Sequence, residues 1–268
     1  MSRKQKQHRN IQLENIKEIM KRFLRSLLSG FCFSIFGIGG LLTGTLFVPP
    51  VLIFCSKKAQ KKILALTIHY LWKFFVGLMC CLKLIDIKTD NKQELKKLHG
   101  EIIIANHPSL IDVVILVSCI PRSICVVKDD LFKNFFIKSL IRRVYLSNMM
   151  APDEFIQSAS ADLNSGYNII IFPEGTRTIP GKSVHFHRGF AYLQIFSKHN
   201  IQPIHIENTP HILGKGAKWW DVGNKTSVYT LKMLQKISFN KNLKNNNREN
   251  AVLITEMTKK SLFPAQTA

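Results

Sequence analysis

The chain predicts an α/β domain with a mostly parallel mixed sheet flanked by helices, behind an N-terminal apolar helical segment that docks on a membrane. Three observations carry this expectation. Short apolar runs alternate with helix-length amphipathic stretches from residue 101 onward, the pattern of parallel strands joined by crossover helices. Two polar boxes each leave such an apolar run, where α/β proteins keep their chemistry. A long uncharged stretch lies near the N-terminus, bracketed by basic residues. The 268 residues suit one α/β domain with an accessory segment, divided at residues 1–84 and 85–268.

Residues 1–25 are polar and basic, and an uncharged run follows from Ser26 to Ser56. This run is too long for a secretory signal and lacks a small-residue cleavage site. Pro49-Pro50 is expected to end a helix near Val48, because proline lacks an amide hydrogen and clashes with the preceding turn. A helix over 26–48 would reach about 34 Å, enough for a bilayer. Five glycines (Gly30, Gly37, Gly39, Gly40 and Gly44) each weaken it by about 1 kcal/mol relative to alanine. Basic residues stand on both sides of the run, Lys57, Lys58, Lys61 and Lys62 on the far side. With a second apolar stretch at Ile63–Leu84, they favour a helical pair dipping into one leaflet from the cytoplasmic side, with one or two true spans as the alternative. A bacterial inner membrane suits that arrangement.

The later elements follow in order. A polar stretch, Lys88–Gly100, leads to a strand at Glu101–Ala105 and a helix from Ser109 to Cys119, with Ser109 as its N-cap. Ser123–Val127 reads as a strand, Asp130–Arg142 as a basic helical region and Val144–Leu146 as a short strand. Pro152–Gly166 has an acidic first turn and a glycine past its end, both helix signals. Strand Asn168–Phe172, helix Arg188–Lys198 and strands Ile201–Ile206 and Thr226–Lys232 complete the sheet. Asn240–Asn250 is expected to be a solvated loop and Arg248–Phe263 a terminal helix.

The net charge of +21, from 38 Lys and Arg against 17 Asp and Glu, calls for an anionic partner such as a membrane surface or nucleic acid. The basic residues are not interleaved with aromatics in an RNA-binding box, so membrane lipids are the expected partner and nucleic acid is not. All six cysteines lie in apolar stretches without metal-ligand spacing, the pattern of buried or lipid-facing reduced thiols.

The first box is Asn106-His107-Pro108-Ser109-Leu110-Ile111-Asp112. A histidine after a strand also suits a structural turn, and a first-turn aspartate also suits the helix dipole. Together they do more. An Asp112 carboxylate folded back on the imidazole fixes its tautomer, leaving one nitrogen of His107 to accept a hydroxyl proton. No GxSxG elbow accompanies the box, so direct attack by an acceptor hydroxyl is simpler than a covalent intermediate. The second box is Phe172-Pro173-Glu174-Gly175-Thr176-Arg177. Gly175 permits a tight turn, Thr176 supplies a hydroxyl, and the Arg177 guanidinium binds phosphate bidentately.

With both boxes in this order, the chain resembles the glycerolipid (lysophosphatidate-type) acyltransferase family, whose signatures are NHxxxxD and FPEGTR. The resemblance covers roughly residues 85–235 and implies a glycerol-3-phosphate acyltransferase-like fold. It implies transfer of a fatty acyl group from coenzyme A or acyl-carrier protein to a lysophospholipid hydroxyl, with no cofactor beyond that co-substrate. His107 is implied as base and Asp112 as its orienting partner. Glu174, Gly175 and Arg177 are implied at the acceptor's phosphate and Pro203 at the acyl-donor pocket; Asn106, Ser109, Lys128, Thr176 and Arg188 are expected as further acceptor contacts. One position departs from the pattern. The family carries a block ending in arginine between the boxes, and here Ser147 and Asn148 stand in that place. Asparagine does not replace a bidentate cation. The acceptor therefore stays open between lysophosphatidate, another lysophospholipid, and a specialised lipid or polyketide-like precursor. A non-catalytic basic module binding membrane or nucleic acid is the further alternative.

His185 and His187 lack a third ligand at suitable spacing, so no metal is expected. Lys215–Trp220 suits either an interfacial anchor or core packing.

Overall fold

The computed structural model describes residues 3–179, 181–182, 184–239 and 246–264. Helix α1 (Arg3–Leu42) passes through a π-turn at Thr43–Phe47 into α2 (Val48–Phe54), and α3 (Lys57–Cys81) returns antiparallel to them. Then come β1 (Ile85–Lys88), α4 (Lys92–Lys97), β2 (Ile102–Ala105), α5 (Asp112–Cys119) and β3 (Ser123–Val127). A 3₁₀ turn at Asp129–Lys133 precedes α6 (Lys138–Ile141), β4 (Leu146–Ser147), α7 (Pro152–Asn164) and β5 (Asn168–Ile171). Helix α8 (Gly189–Ser197), β6 (Ile201–Thr209), β7 (Ser227–Met233) and α9 (Asn247–Leu262) close the chain.

The seven strands form one sheet in the order β1-β7-β6-β2-β5-β3-β4. Every pairing is parallel except β6 with β7. Ile102, Ile103 and Ile104 of β2 lie between Ile169 and Ile170 of β5 and Ile201 and Ile204 of β6, all wholly buried. Central parallel strands are covered on both faces, which explains these unbroken isoleucine runs. Helix α5 packs with α3, whereas α7, α8 and α9 pack with one another; right-handed crossovers put the two groups on opposite faces. After β2 the chain moves toward β3 and β4, and after β5 it crosses to β6 and β7. The neighbouring strands β2 and β5 thus straddle the point where the connections diverge, the preferred place for a ligand crevice.

Pro49-Pro50 does not end the helix near Val48. The prolines occupy the first turn of α2, and the π-turn before them closes with Val48 N–H on the Thr43 carbonyl. That wider turn absorbs the missing proline hydrogen bonds, as π-turns do within helices. Two glycines of α1 and the π-turn also have a use. A Cβ on Gly40 would stand 2.8 Å from Ile137 Cγ2, and one on Gly44 2.2 Å from Ser139 Oγ. Their absence lets α1 lie against the segment leading into α6.

Both ends of the helical pair are pinned to the domain. The Arg25 guanidinium donates to the carbonyls of Gly223 (3.1 Å), Lys83 (2.9 Å), Leu84 (3.2 Å) and Lys225 (2.8 Å). Arg22 pairs with Asp221 at 2.5 Å, and Ser29 donates to the Trp219 carbonyl. At the other end Lys61 pairs with Asp162 of α7. Asn10–Phe54 and Lys57–Cys81 are long and apolar enough to cross a membrane. Phe31, Ile38, Leu42, Leu46, Ile53 and Phe54 are exposed along the outer side, while Leu64, Ile68, Phe75 and Met79 of α3 enter the core.

Other expectations are refined. α4 arises inside the stretch read as polar and β1 just before it, and the basic helical region splits into the 3₁₀ turn and α6. Of the expected loop at Asn240–Asn250, residues 240–245 lie outside the described residues. Asn246 caps α9, accepting from Arg248 N and Glu249 N, so 247–250 are helical.

Candidate active site

The two boxes leave β2 and β5 side by side at the same sheet edge. Asn106 continues the β2 ladder with its side chain. Its amide donates to the Ile206 carbonyl at 2.8 Å and accepts from Ile206 N–H at 2.7 Å. The Asn106 side chain, expected at substrate, is instead buried and used to hold β2 to β6.

His107 follows, and its Nδ1 lies 2.8 Å from Asp112 Oδ2. A carboxylate accepts, so Nδ1 carries the hydrogen and Nε2 presents a lone pair. Asp112 is the first residue of α5 and wholly buried, where the helix dipole favours its charge. It also accepts from Ser109 N–H at 2.6 Å and Ser109 Oγ at 2.5 Å. Ser109 is therefore not the N-cap of α5, which begins three residues later. Its hydroxyl is fully buried and spent on the carboxylate.

The second box clamps the histidine by its backbone. His107 N–H donates to Glu174 Oε1 (3.2 Å) and Thr178 Oγ1 (2.9 Å), and Thr178 N–H donates to the His107 carbonyl at 2.7 Å. Thr178 Oγ1 in turn donates to Glu174 Oε1 at 2.6 Å. Burial pushes the Glu174 carboxyl above the usual carboxylate range, partly offset by these donors. The Phe172 ring lies 4.4 Å from the imidazole, centroid to centroid. Gly175 has φ +62°, and a Cβ there would meet the His187 ring at 3.2 Å, so both backbone and neighbour ask for glycine.

Arg177 Nη1 donates to the carbonyls of Gly214 (2.7 Å) and Leu213 (3.2 Å). Leu110 N–H donates to that same Leu213 carbonyl at 2.9 Å. The loop after β6 thus joins both boxes, and the remaining guanidinium donors of Arg177 have no hydrogen-bond partner among the described residues. Beyond this loop, a cavity of about 530 Å³ separates it from α1, lined by Arg22, His211, Lys215 and Asp221.

The remaining expected residues spread outward from this centre. Thr176 is half-buried in the turn, and Arg188 is exposed at the N-cap of α8. Lys128 is exposed just past β3, two strands from β2 at the same edge. Pro203 is buried in β6 beside Ile104, with its carbonyl accepting from Leu234 N–H. Where arginine was expected, Ser147 Oγ donates to Asp129 Oδ1 at 3.2 Å and Asn148 Oδ1 accepts from Asp129 N–H at 3.1 Å. These residues secure an acidic neighbour of Lys128 instead of adding a cation. His185 and His187 meet edge to face at 5.5 Å, and no third potential metal ligand joins them among the described residues.

Sequence reasoning missed Thr178 and the Leu213–Gly214 carbonyls. Thr178 directly follows Arg177, the last residue of the second box, but nothing local shows that it returns to His107.

A histidine–carboxylate pair beside a partly satisfied guanidinium stands on this seven-stranded mixed sheet, and residues 86–207, somewhat under half of the chain, match the acyltransferase family model. A curated relative, the 1-acyl-sn-glycerol-3-phosphate acyltransferase of Cocos nucifera, is 30% identical over 115 residues, which cover 40% of this chain and 37% of that relative. The chain thus matches little more than a third of that relative's length. Among solved structures, the 1-acyl-sn-glycerophosphate (LPA) acyltransferase PlsC of Thermotoga maritima superposes with a TM-score of 0.68. The match covers 94% of this chain and 100% of that one at 19% identity, a likeness of fold.

Proposed function

We propose that this chain is an O-acyltransferase, moving a fatty acyl group from an acyl thioester to the hydroxyl of a lysophospholipid such as 1-acyl-glycerol-3-phosphate. The observation that carries the reading is the 2.8 Å contact between His107 Nδ1 and Asp112 Oδ2, which leaves Nε2 as a base. In this scheme Nε2 takes the acceptor's hydroxyl proton as its oxygen bonds to the thioester carbonyl carbon. The tetrahedral intermediate collapses with cleavage of the carbon–sulfur bond, and the imidazolium protonates the departing thiolate. Such base catalysis contributes about 10²–10⁴-fold.

Arg177 grips the acceptor's phosphate with the donors left free by its Leu213 and Gly214 contacts, assisted by Thr176, Lys128 and Arg188. Glu174 and Gly175 shape that site by fixing the turn, and Pro203 shapes the acyl-donor pocket. Asn106 and Ser109 act as positioning residues through β6 and Asp112. The donor is coenzyme A or acyl-carrier protein. The same reading places the protein on a membrane. Both ends of the helical pair are tied to the domain, which favours a pair lying in one leaflet, on the cytoplasmic side, over one crossing the bilayer.

A second acceptor class is favoured by one observation: Ser147 and Asn148 hold Asp129 where an arginine is expected. A specialised hydroxylated lipid or polyketide-like precursor would need less phosphate recognition there. The test is to incubate the protein with a panel of lysolipids and both labelled donor types, then identify products by mass spectrometry. Transfer to 1-acyl-glycerol-3-phosphate supports the first acceptor. Absence of transfer to every lysolipid sinks it.

A further inference from the structure

The tip of the helical pair carries a second feature, remote from His107. A cleft of about 670 Å³ lies between the start of α3 and the α7–β5 junction, lined by Lys57, Lys58, Lys61, Lys62, Arg122 and Asp162. Arg122 immediately precedes β3 and Tyr167 precedes β5, so the cleft opens at the amino ends of strands whose carboxyl ends hold the transfer site. Lys61 is paired with Asp162. The other four cations form no ion pair among the described residues. Four unneutralised cations in one concavity call for an anion.

The surroundings decide which kind. Leu66 lines this cleft and also an adjoining groove of about 440 Å³ that runs along α3 between Ile63, Thr67, Tyr70 and Leu71. Ile53 and Phe54, at the end of α2, are 73% and 83% exposed, and Tyr70 and Phe74 are exposed along α3. A free anion would need the cations but not the groove. An amphiphile needs both: a charged concavity at headgroup depth and an apolar channel leading from it.

We propose that this cleft and groove form a binding site for an anionic bilayer phospholipid, its phosphate held by Lys57, Lys58, Lys62 and Arg122 and one acyl chain laid against Leu66 and Tyr70. The lipid is bound without being a reactant: Asp162, the one carboxylate in the lining, is held by Lys61, and His107 stands at the opposite ends of the strands. It fixes the tip of the helical pair on the membrane while the opposite end of the sheet carries out transfer.

The full chain in neutral detergent is titrated by calorimetry with monomeric dihexanoyl-phosphatidylglycerol, dihexanoyl-phosphatidylcholine and inorganic phosphate. The expected result is phosphatidylglycerol binding about tenfold or more tighter than either of the others, as charge and chain act together. Lys58→Ala/Lys62→Ala should lower that affinity about tenfold with an unchanged thermal midpoint, because both side chains are exposed. Leu66→Gln should weaken phosphatidylglycerol while leaving phosphate unaffected. His107→Ala should bind phosphatidylglycerol as wild type does, which separates this site from the transfer reaction. The proposal is overturned by phosphate binding as tightly as phosphatidylglycerol, by phosphatidylcholine doing so, by an unaltered double variant, or by His107→Ala losing the lipid.

Discussion

His107 and Glu174, 67 residues apart, meet through the histidine's backbone: its N–H donates to Glu174 Oε1 at 3.2 Å. The glutamate of the second box therefore sets where the imidazole begins, while Asp112 sets where it points.

That division predicts unequal effects at Glu174. Glu174→Gln keeps an oxygen that accepts from His107 N–H and Thr178, so transfer should persist within about tenfold. Glu174→Ala takes the acceptor from the part-buried Thr178 hydroxyl and one of two acceptors from His107 N–H, which costs about 1–3 kcal/mol and should lower kcat much further. Measuring kcat for both variants checks the claim; equal losses would refute it.

The same residue predicts a pH dependence of stability. Burial raises the Glu174 carboxyl above its ordinary value, so the folded chain holds that proton more tightly than the unfolded chain. The resulting stability is complete below the ordinary glutamate range and is lost as pH rises through the elevated value. Relative to Glu174→Gln, wild type should therefore lose stability between acid and neutral pH, read from denaturant midpoints. A constant difference would contradict the assignment.

At the proposed base, His107→Ala should reduce transfer by about 10³-fold while leaving the far-ultraviolet circular dichroism unchanged. Ser109→Ala removes one of the donors on Asp112 and should cost about 1 kcal/mol of stability with a smaller fall in kcat. Wild-type turnover in His107→Ala would end the proposed mechanism.

Acceptor choice is testable at β4. Asn148 is exposed beside Asp129 and Lys128, and Asn148→Arg adds a guanidinium at that edge. Its kcat/KM for 1-acyl-glycerol-3-phosphate should rise relative to uncharged acceptors by about tenfold, as one charge-assisted pair allows. An unchanged ratio would place the phosphate elsewhere.

Gly40 offers a packing test. Gly40→Ala brings a methyl group to 2.9 Å from the Phe136 carbonyl oxygen and 2.8 Å from Ile137 Cγ2, so backbone must shift, and it should destabilise by about 1–3 kcal/mol. An unchanged thermal midpoint would refute the close approach.

Much of this was legible in the residues because the central strands are buried on both faces. Ile102–Ile104 and Ile169–Ile171 are continuous apolar runs, which announce parallel strands without needing alternation. β1 was not legible: Ile85 and Ile87 alternate with Asp86 and Lys88 directly after the apolar end of α3, so the edge strand merges into the helix before it. Pro49-Pro50 misled because the usual rule assumes an i→i−4 ladder, and the π-turn supplies another. The His107–Asp112 pair could be read from spacing. The roles of Asn106, Ser109 and Thr178 could not, since each depends on which backbone group folds back within reach.

The Arg25 guanidinium reaches four carbonyls belonging to the turns around β1 and β7. Trimming the first thirty residues to obtain a more water-soluble protein would strip those carbonyls of their donor and unfasten the loop that also carries Leu213 and Gly214. Solubility gained that way would be exchanged for a slack grip on Arg177, so the greasy leading helix is best regarded as a structural member of the α/β domain.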